Sequence, residues 1–162
     1  MDRSDRVLVV AACLVCLGVA TSGFVDFGAA SDSSVPAPGS GSADVTIESV
    51  SASEVTLTRG MFGSGTYHLD APPAYVTAER VVGNPVVKFA LDVPALGHVD
   101  TTTYELDGRA GDRIALSFSK NELSPKRVTD DEYDATLSIW LQEDGGRFTT
   151  LYQRQISVEV RP

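Results

Sequence analysis

The segment KNELSPKRVTDDEYD, residues 120–134, places eight charged side chains in fifteen residues. Hard cations such as Ca²⁺ bind carboxylate oxygens. The candidate ligands are the four carboxylates that fall within five residues: Asp130, Asp131, Glu132 and Asp134. The spacing differs from that of an EF-hand loop, because the glycine and the terminal glutamate of that loop are absent. A weak calcium site is therefore one interpretation, and a solvated acidic connector is another.

The same segment also carries groups that could recognise a partner. Lys126 and Arg127 precede the carboxylates, and Tyr133 lies among them. Connections of this length are uncommon in compact domains and are often functional. We therefore treat Lys126, Arg127 and Tyr133 as candidate partner-binding residues.

Trp140, the only tryptophan of the chain, is a fourth candidate for partner binding. The run ATLSIWLQ alternates aliphatic with polar residues, so a strand here turns Leu137 and Ile139 to a core and Trp140 to the polar face. An exposed indole can anchor a partner or a neighbouring copy. The alternative is that the long segment or the linker covers the ring.

Residues typical of catalysis are sparse. His68 and His98 are the only histidines and do not form a His-x-x-x-His pair. A triad of His98, Asp100 and a serine has no Gly-x-Ser-x-Gly motif to support it. Cys13 and Cys16 lie in an apolar stretch, where the thiolate needed for metal or redox chemistry is disfavoured. We expect no enzyme activity, no catalytic residues and no bound cofactor apart from the calcium alternative.

The charge balance narrows the classes of partner. Thirteen basic and 22 acidic residues give a net charge of −9. Such a balance repels phosphate backbones, so we expect no nucleic-acid partner. Asp outnumbers Glu by 14 to 8, and only three of the basic residues are lysines.

The sequence of residues 1–43 predicts that the protein is exported. Arg3 and Arg6 precede an apolar run over residues 7–25, an arrangement that keeps residues 1–6 in the cytoplasm and sends the remainder outward. A helix of this length spans about 28 Å, enough for a bilayer core. Residues 26–43, rich in Ser, Gly and Pro, predict a flexible linker, and residues 44–162 an extracytoplasmic domain.

The length of the apolar run does not decide whether the run is retained as an anchor or cleaved as a signal peptide. Small residues between Ala20 and Ala30 would suit a signal peptidase. A linker has an evident use between a membrane and a domain, so the sequence favours a single-pass anchor with the C-terminal domain outside. Secretion after cleavage is the alternative.

From Asp44 onward the sequence alternates apolar and polar residues in short runs separated by Gly, Pro, Asn and Asp. Val87, Phe89 and Leu91 are expected on a core face, opposite Lys88 and Ala90. We count eight or nine strands, which predicts an all-β, antiparallel sandwich of the immunoglobulin-like type. A closed barrel is the second choice.

The Arg3/Arg6 start, the Ser31–Ser42 tether and the Lys-poor acidic surface together resemble uncharacterised exported proteins of haloarchaea. The resemblance implies a halophilic, membrane-anchored cell-surface module that binds or scaffolds other envelope components. Its partner would be an envelope protein or a second copy of the chain. The main alternative is a secreted fibre or matrix subunit that assembles through sheet edges, and an exported enzyme is the third.

Overall fold

The computed structural model describes residues 36–60 and 65–162. The predicted anchor or signal segment, residues 7–25, and most of the predicted linker lie outside the described residues. Among the residues that are described, no helix is long and apolar enough to cross a membrane.

Within these ranges the chain forms ten strands and two short 3-10 turns, Ala52–Glu54 and Pro94–Leu96. The strands are β1 (Ser40–Ser49), β2 (Thr56–Arg59), β3 (Tyr67–Asp70), β4 (Ala74–Asn84), β5 (Val86–Val93), β6 (His98–Glu105), β7 (Arg113–Leu116), β8 (Glu122–Leu123), β9 (Glu132–Glu143) and β10 (Arg147–Arg161).

The strands form two sheets. The smaller sheet has the order β1-β4-β7, and the larger sheet has the order β6-β5-β9-β10-β2-β3-β8. Their apolar faces enclose one core, so the prediction of an all-β fold built from two sheets is confirmed. Ten strands are one more than the largest number predicted; β8 has only two residues, and it lies within the segment predicted to be a long connection.

One pairing differs from the antiparallel prediction. β10 and β2 run parallel, with Val160 opposite Leu57. Alternation within a strand reports which side faces the core, but it carries no information about the direction of a neighbour that is distant in the chain. The long separation between β2 and β10 permits either direction.

The core follows the predicted alternation. Val87, Phe89 and Leu91 of β5 are buried, and the ring of Phe89 stacks on Phe118 with centroids 4.2 Å apart. Residues with even numbers along β5 point to the other side, where Lys88 is half-buried. A strand period of two is therefore sufficient to place this central strand correctly.

The chain changes sheets between β4 and β5 with only Pro85 between them. Asn84 at this crossing is fully buried. Its side-chain nitrogen donates to the carbonyl oxygen of Pro36 at 3.2 Å and to the carboxylate of Glu105 at 2.7 Å. The crossing thus connects both sheets to the first described residue of the chain.

The last strand, β10, is continuous and contains a bulge. The register of β10 against β9 shifts between Thr150 and Tyr152. Thr150 lies opposite Trp140, whereas Tyr152 lies opposite Ile139. The extra residue, Leu151, therefore moves the first part of β10 to the opposite face from that predicted by a single uninterrupted phase.

The folded unit begins earlier than the predicted boundary at residue 44. β1 starts at Ser40, and the preceding backbone is fixed by hydrogen bonds from Gly39 to Asn84 at 2.8 Å and from Gly145 to Gly39 at 2.9 Å. Gly41 has a φ of 87°, and a Cβ there would lie 1.9 Å from the carbonyl oxygen of Val82. Glycines that signal a linker by composition are here required for close strand packing.

Replacement of Phe89 tests the core. We expect Phe89→Ala to lower the free energy of unfolding by about 3–5 kcal/mol, because it removes a buried ring and leaves a cavity beneath Phe118. Val82→Ala, at an exposed aliphatic residue, is the matched control and should change stability by less than about 0.5 kcal/mol. Denaturant unfolding followed by circular dichroism measures both, and equal effects would contradict this account of the core.

Candidate functional site

The outer face of the larger sheet is built by the side chains that alternate with the core residues of four neighbouring strands. The register places Ala90 of β5 between Thr101 of β6 and Ser138 of β9. Gln153 of β10 lies opposite Ser138 on the other side. Small side chains thus run across the middle of this face, and they leave a depression.

We call this feature the outer depression. It has a volume of about 380 Å³. Its apolar lining is Ala90, Val99 and Trp140. Its polar lining is Asp92, Thr101, Thr136, Ser138 and Gln153.

Trp140 lies on the outer face, as the alternation predicts, and is half-buried at the rim of the depression. Beside it, Phe148 is 54% exposed, and the ammonium nitrogen of Lys88 lies 4.9 Å from the centre of the Phe148 ring. On the far side, Val99 is 66% exposed. Aromatic and aliphatic surface is therefore concentrated around the depression, which is unusual for an exposed sheet face.

The polar side chains of the depression lack hydrogen-bond partners in the part of the chain that the structure describes. The side chains of its five polar residues make no hydrogen bond or ion pair with any other residue in the described part of the chain. Ser138 is only 2% exposed. Its hydroxyl oxygen is not one of the buried side-chain atoms that lack a partner in the described chain, which are Asn84 Oδ1 and His98 Nε2, so it keeps some contact with solvent. This face therefore presents hydrogen-bonding groups that the fold does not use.

The outer face of the smaller sheet shows the opposite pattern. Arg80 and Asp44 form an ion pair at 2.8 Å, and Arg113 and Glu48 form another at 2.5 Å. The Arg113 guanidinium also lies 3.7 Å from the centre of the Tyr75 ring. Charged groups on that face therefore pair with one another, whereas within the described residues the larger sheet presents an unpaired polar set beside aromatic rings.

The pKa of Glu48 reflects the pairing of polar groups on the smaller sheet. Its carboxylate accepts hydrogen bonds from the Thr77 hydroxyl and from the Arg113 guanidinium. These bonds, that of Thr77 first, favour the ionised form and hold the pKa of Glu48 below its ordinary value of 4.5.

The acidic candidates do not converge. Asp130 and Asp131 precede β9, whereas Glu132 and Asp134 lie in it and are exposed. The Glu132 carboxylate accepts a hydrogen bond from the Ser157 hydroxyl. Across residues 36–60 and 65–162, no group of three or more His, Cys, Asp or Glu side chains is arranged to hold a metal ion.

Tyr133 requires a correction as a partner-binding residue. It is only 4% exposed, and its hydroxyl oxygen accepts hydrogen bonds from the backbone N–H groups of Thr129 at 2.7 Å and Asp130 at 2.9 Å. A strand period of two turns Tyr133 inward between two exposed carboxylates. Its ring therefore belongs to the core, and its hydroxyl organises the preceding turn.

Lys126 and Arg127 are exposed, as expected of basic residues in a connection. The Arg127 guanidinium donates to the carbonyl oxygen of Leu96. Neither residue lines the outer depression, so among the four candidate partner-binding residues only Trp140 does.

Among residues 36–60 and 65–162, neither histidine is hydrogen-bonded to a serine hydroxyl as a catalytic triad requires. Asp100 accepts a hydrogen bond from the side-chain nitrogen of Asn121. The buried Nε2 of His98 has no hydrogen-bond partner among the described residues. His98 and Asp100 share one face of β6, but no serine hydroxyl is bonded to this histidine.

Several residues of the site were missed from the sequence. Lys88 and Asp92 alternate with the core residues of β5, but the sequence does not connect them with Trp140, because only the strand order brings β5 beside β9. A single alternating phase along residues 147–160 would put Phe148 on the core face, and the bulge at Leu151 places it outside. In the sequence, Phe148 stands among polar residues, and this is the one sign that its ring is exposed. The sequence does not show where the bulge lies, so it does not show which face Phe148 occupies.

Comparison with known proteins gives no assignment. No family model, no curated protein sequence and no solved structure matches this chain. The function is therefore argued from the fold and from the outer face.

Tyr133→Phe tests the structural role of the tyrosine hydroxyl. We expect a loss of about 1–3 kcal/mol in the free energy of unfolding, because two backbone N–H groups lose their acceptor. Tyr152→Phe is the matched control, since no hydrogen bond to the Tyr152 hydroxyl occurs within the described residues. Denaturant unfolding curves should show a lower free energy of unfolding for Tyr133→Phe than for Tyr152→Phe. Added calcium should not restore the stability of Tyr133→Phe. An equal response of both would contradict the assigned role.

The Glu48 interactions predict a pH dependence. Because the folded-state pKa lies below the unfolded value, the stabilisation is present above about pH 4.5 and is lost as the pH falls through the folded pKa. Thermal melts of the wild type and Glu48→Gln should therefore differ most near neutral pH and converge in acid. Glu54→Gln, at an exposed carboxylate with no hydrogen bond to described residues, should show no such convergence. A constant difference at every pH would refute the prediction.

Proposed function

We propose that this chain is a non-catalytic cell-surface module, anchored in the membrane by residues 7–25, with an immunoglobulin-like β-sandwich outside the cell that binds an envelope component. The binding surface in this proposal is the outer depression with the adjoining side chains of Lys88 and Phe148. The proposal assigns the protein no cofactor and no nucleic-acid partner.

The observation that carries the proposal is the contrast between the two outer faces. One face pairs its charges internally, whereas the other combines a half-buried indole, an exposed phenyl ring and five polar side chains without partners in the described chain. Binding sites characteristically combine apolar surface with a few convergent polar groups. A surface with only a solvation role has no need of this combination.

The anchored arrangement in this proposal rests on the sequence. Residues 7–25 are the anchor, and the described chain begins at Pro36. Residues 26–35 would then connect the anchor to the domain, a use that the Ser-, Ala- and Gly-containing sequence of this stretch suits.

A secreted fibre subunit is the second candidate, and one feature favours it. β6 is an eight-residue edge strand of the larger sheet, paired on one side with β5 only. It contains neither lysine nor proline, residues that commonly protect exposed edges. A second copy could add a strand there.

Fractionation combined with binding tests the first proposal. The full chain should remain at its unprocessed mass in the membrane fraction, and protease added outside intact cells should remove the domain. Purified full chain should bind envelopes stripped of the protein, and Trp140→Ala should reduce that binding at least tenfold while Val82→Ala leaves it unchanged. Recovery of a shortened, soluble and polymeric protein from the medium would instead support the fibre candidate.

A further inference from the structure

We infer that the outer depression binds a neutral saccharide. This inference rests on the proposed function of the outer face and names the chemical class of its ligand. It follows from the ring, the hydrogen-bonding groups and the charge balance that the strands bring together there.

The ring supplies the apolar contact. Trp140 lines the depression beside Ala90 and Ser138, whose small side chains form its floor. A pyranose ring has one face made of C–H groups, which packs against the electron-rich face of an indole. Phe148 lies diagonally across from Trp140 on the adjacent strand, a separation of about 7–8 Å between backbones, and extends the aromatic surface toward a second ring.

The hydrogen-bonding groups suit hydroxyls. Asp92 offers two acceptor oxygens, Gln153 offers a donor and an acceptor, and the hydroxyl of Ser138 can do both. All three line the same depression and have no partner in the described chain. Ligand hydroxyls, each a donor and an acceptor, complement such a set, whereas an aliphatic protein side chain would leave it unpaired.

The charge balance favours a ligand without net charge. Lys88 and Asp92 lie four residues apart on the outer face of β5, with Ala90 between them, so this face of the strand carries one positive and one negative charge. The whole chain carries −9 and therefore disfavours anionic polymers. The volume, about 380 Å³, falls in the range of about 300–1,000 Å³ typical of small-molecule sites.

Fluorescence tests the inference directly, because Trp140 is the only tryptophan and reports on the depression alone. The full chain, held in a detergent without a sugar headgroup, is titrated with cellohexaose, chitohexaose, maltohexaose and mannohexaose. We expect a saturable change with at least one of them. Asp92→Asn should weaken that binding about tenfold, since it removes a charged hydrogen-bond acceptor.

Matched variants separate binding from a general effect. Asp107→Asn removes an exposed carboxylate outside the depression and should leave the affinity unchanged. By calorimetry, Trp140→Ala should abolish binding and Trp140→Phe should retain part of it. The absence of a response to all four oligosaccharides, a response only to anionic glycans, or equal weakening by Asp92→Asn and Asp107→Asn would each overturn the inference.

Treatment of the stripped envelopes separates failure of this inference from failure of the proposed function. Periodate, which cleaves vicinal diols, should abolish Trp140-dependent binding, whereas protease should not. Sensitivity to protease alone would leave the binding function in place and make the ligand a protein. Envelope binding that is unaffected by Trp140→Ala would refute the proposed surface itself.

Discussion

The two sheets depend on one polar side chain at the place where the chain passes between them. Asn84 is fully buried beside Pro85, and its amide holds both Pro36 and Glu105. The backbone carbonyl of Asn84 also accepts from Gly39 at 2.8 Å. The side-chain nitrogen thus makes two hydrogen bonds, whereas the buried Oδ1 has no partner among the described residues. Because a buried polar group without a partner costs about 1–3 kcal/mol, the bonds of the nitrogen stabilise the crossing between the sheets.

Local alternation predicts much of this fold because each strand has one apolar side. Phe89 faces the core and Lys88 faces outward, as their spacing indicates. Composition misplaced the start of the domain, since Gly39 and Gly41 belong to close strand contacts. Strand order and the parallel pairing of β10 with β2 depend on contacts distant in sequence, which a local period does not report.

The candidate site was predictable only where the alternation was uninterrupted. Trp140 was placed correctly because β9 keeps one phase, whereas Phe148 was misplaced because Leu151 inserts one extra residue into β10. Tyr133 shows the converse. Its acidic neighbours suggested an exposed loop, yet β9 begins early enough to turn the ring inward. Sequence therefore identified one member of the site, and strand pairing supplied the others.

The attachment of the first described residues has a mechanical consequence. Gly39 and Gly41 accept backbone hydrogen bonds from Gly145 and Asp144 in the β9–β10 hairpin, whose strands carry Trp140 and Phe148. If a ligand is held at the outer depression and the chain is pulled from its N-terminal side, tension enters this hairpin directly. The same pull also reaches the β4–β5 crossing, because the Gly39 N–H donates to the backbone carbonyl of Asn84.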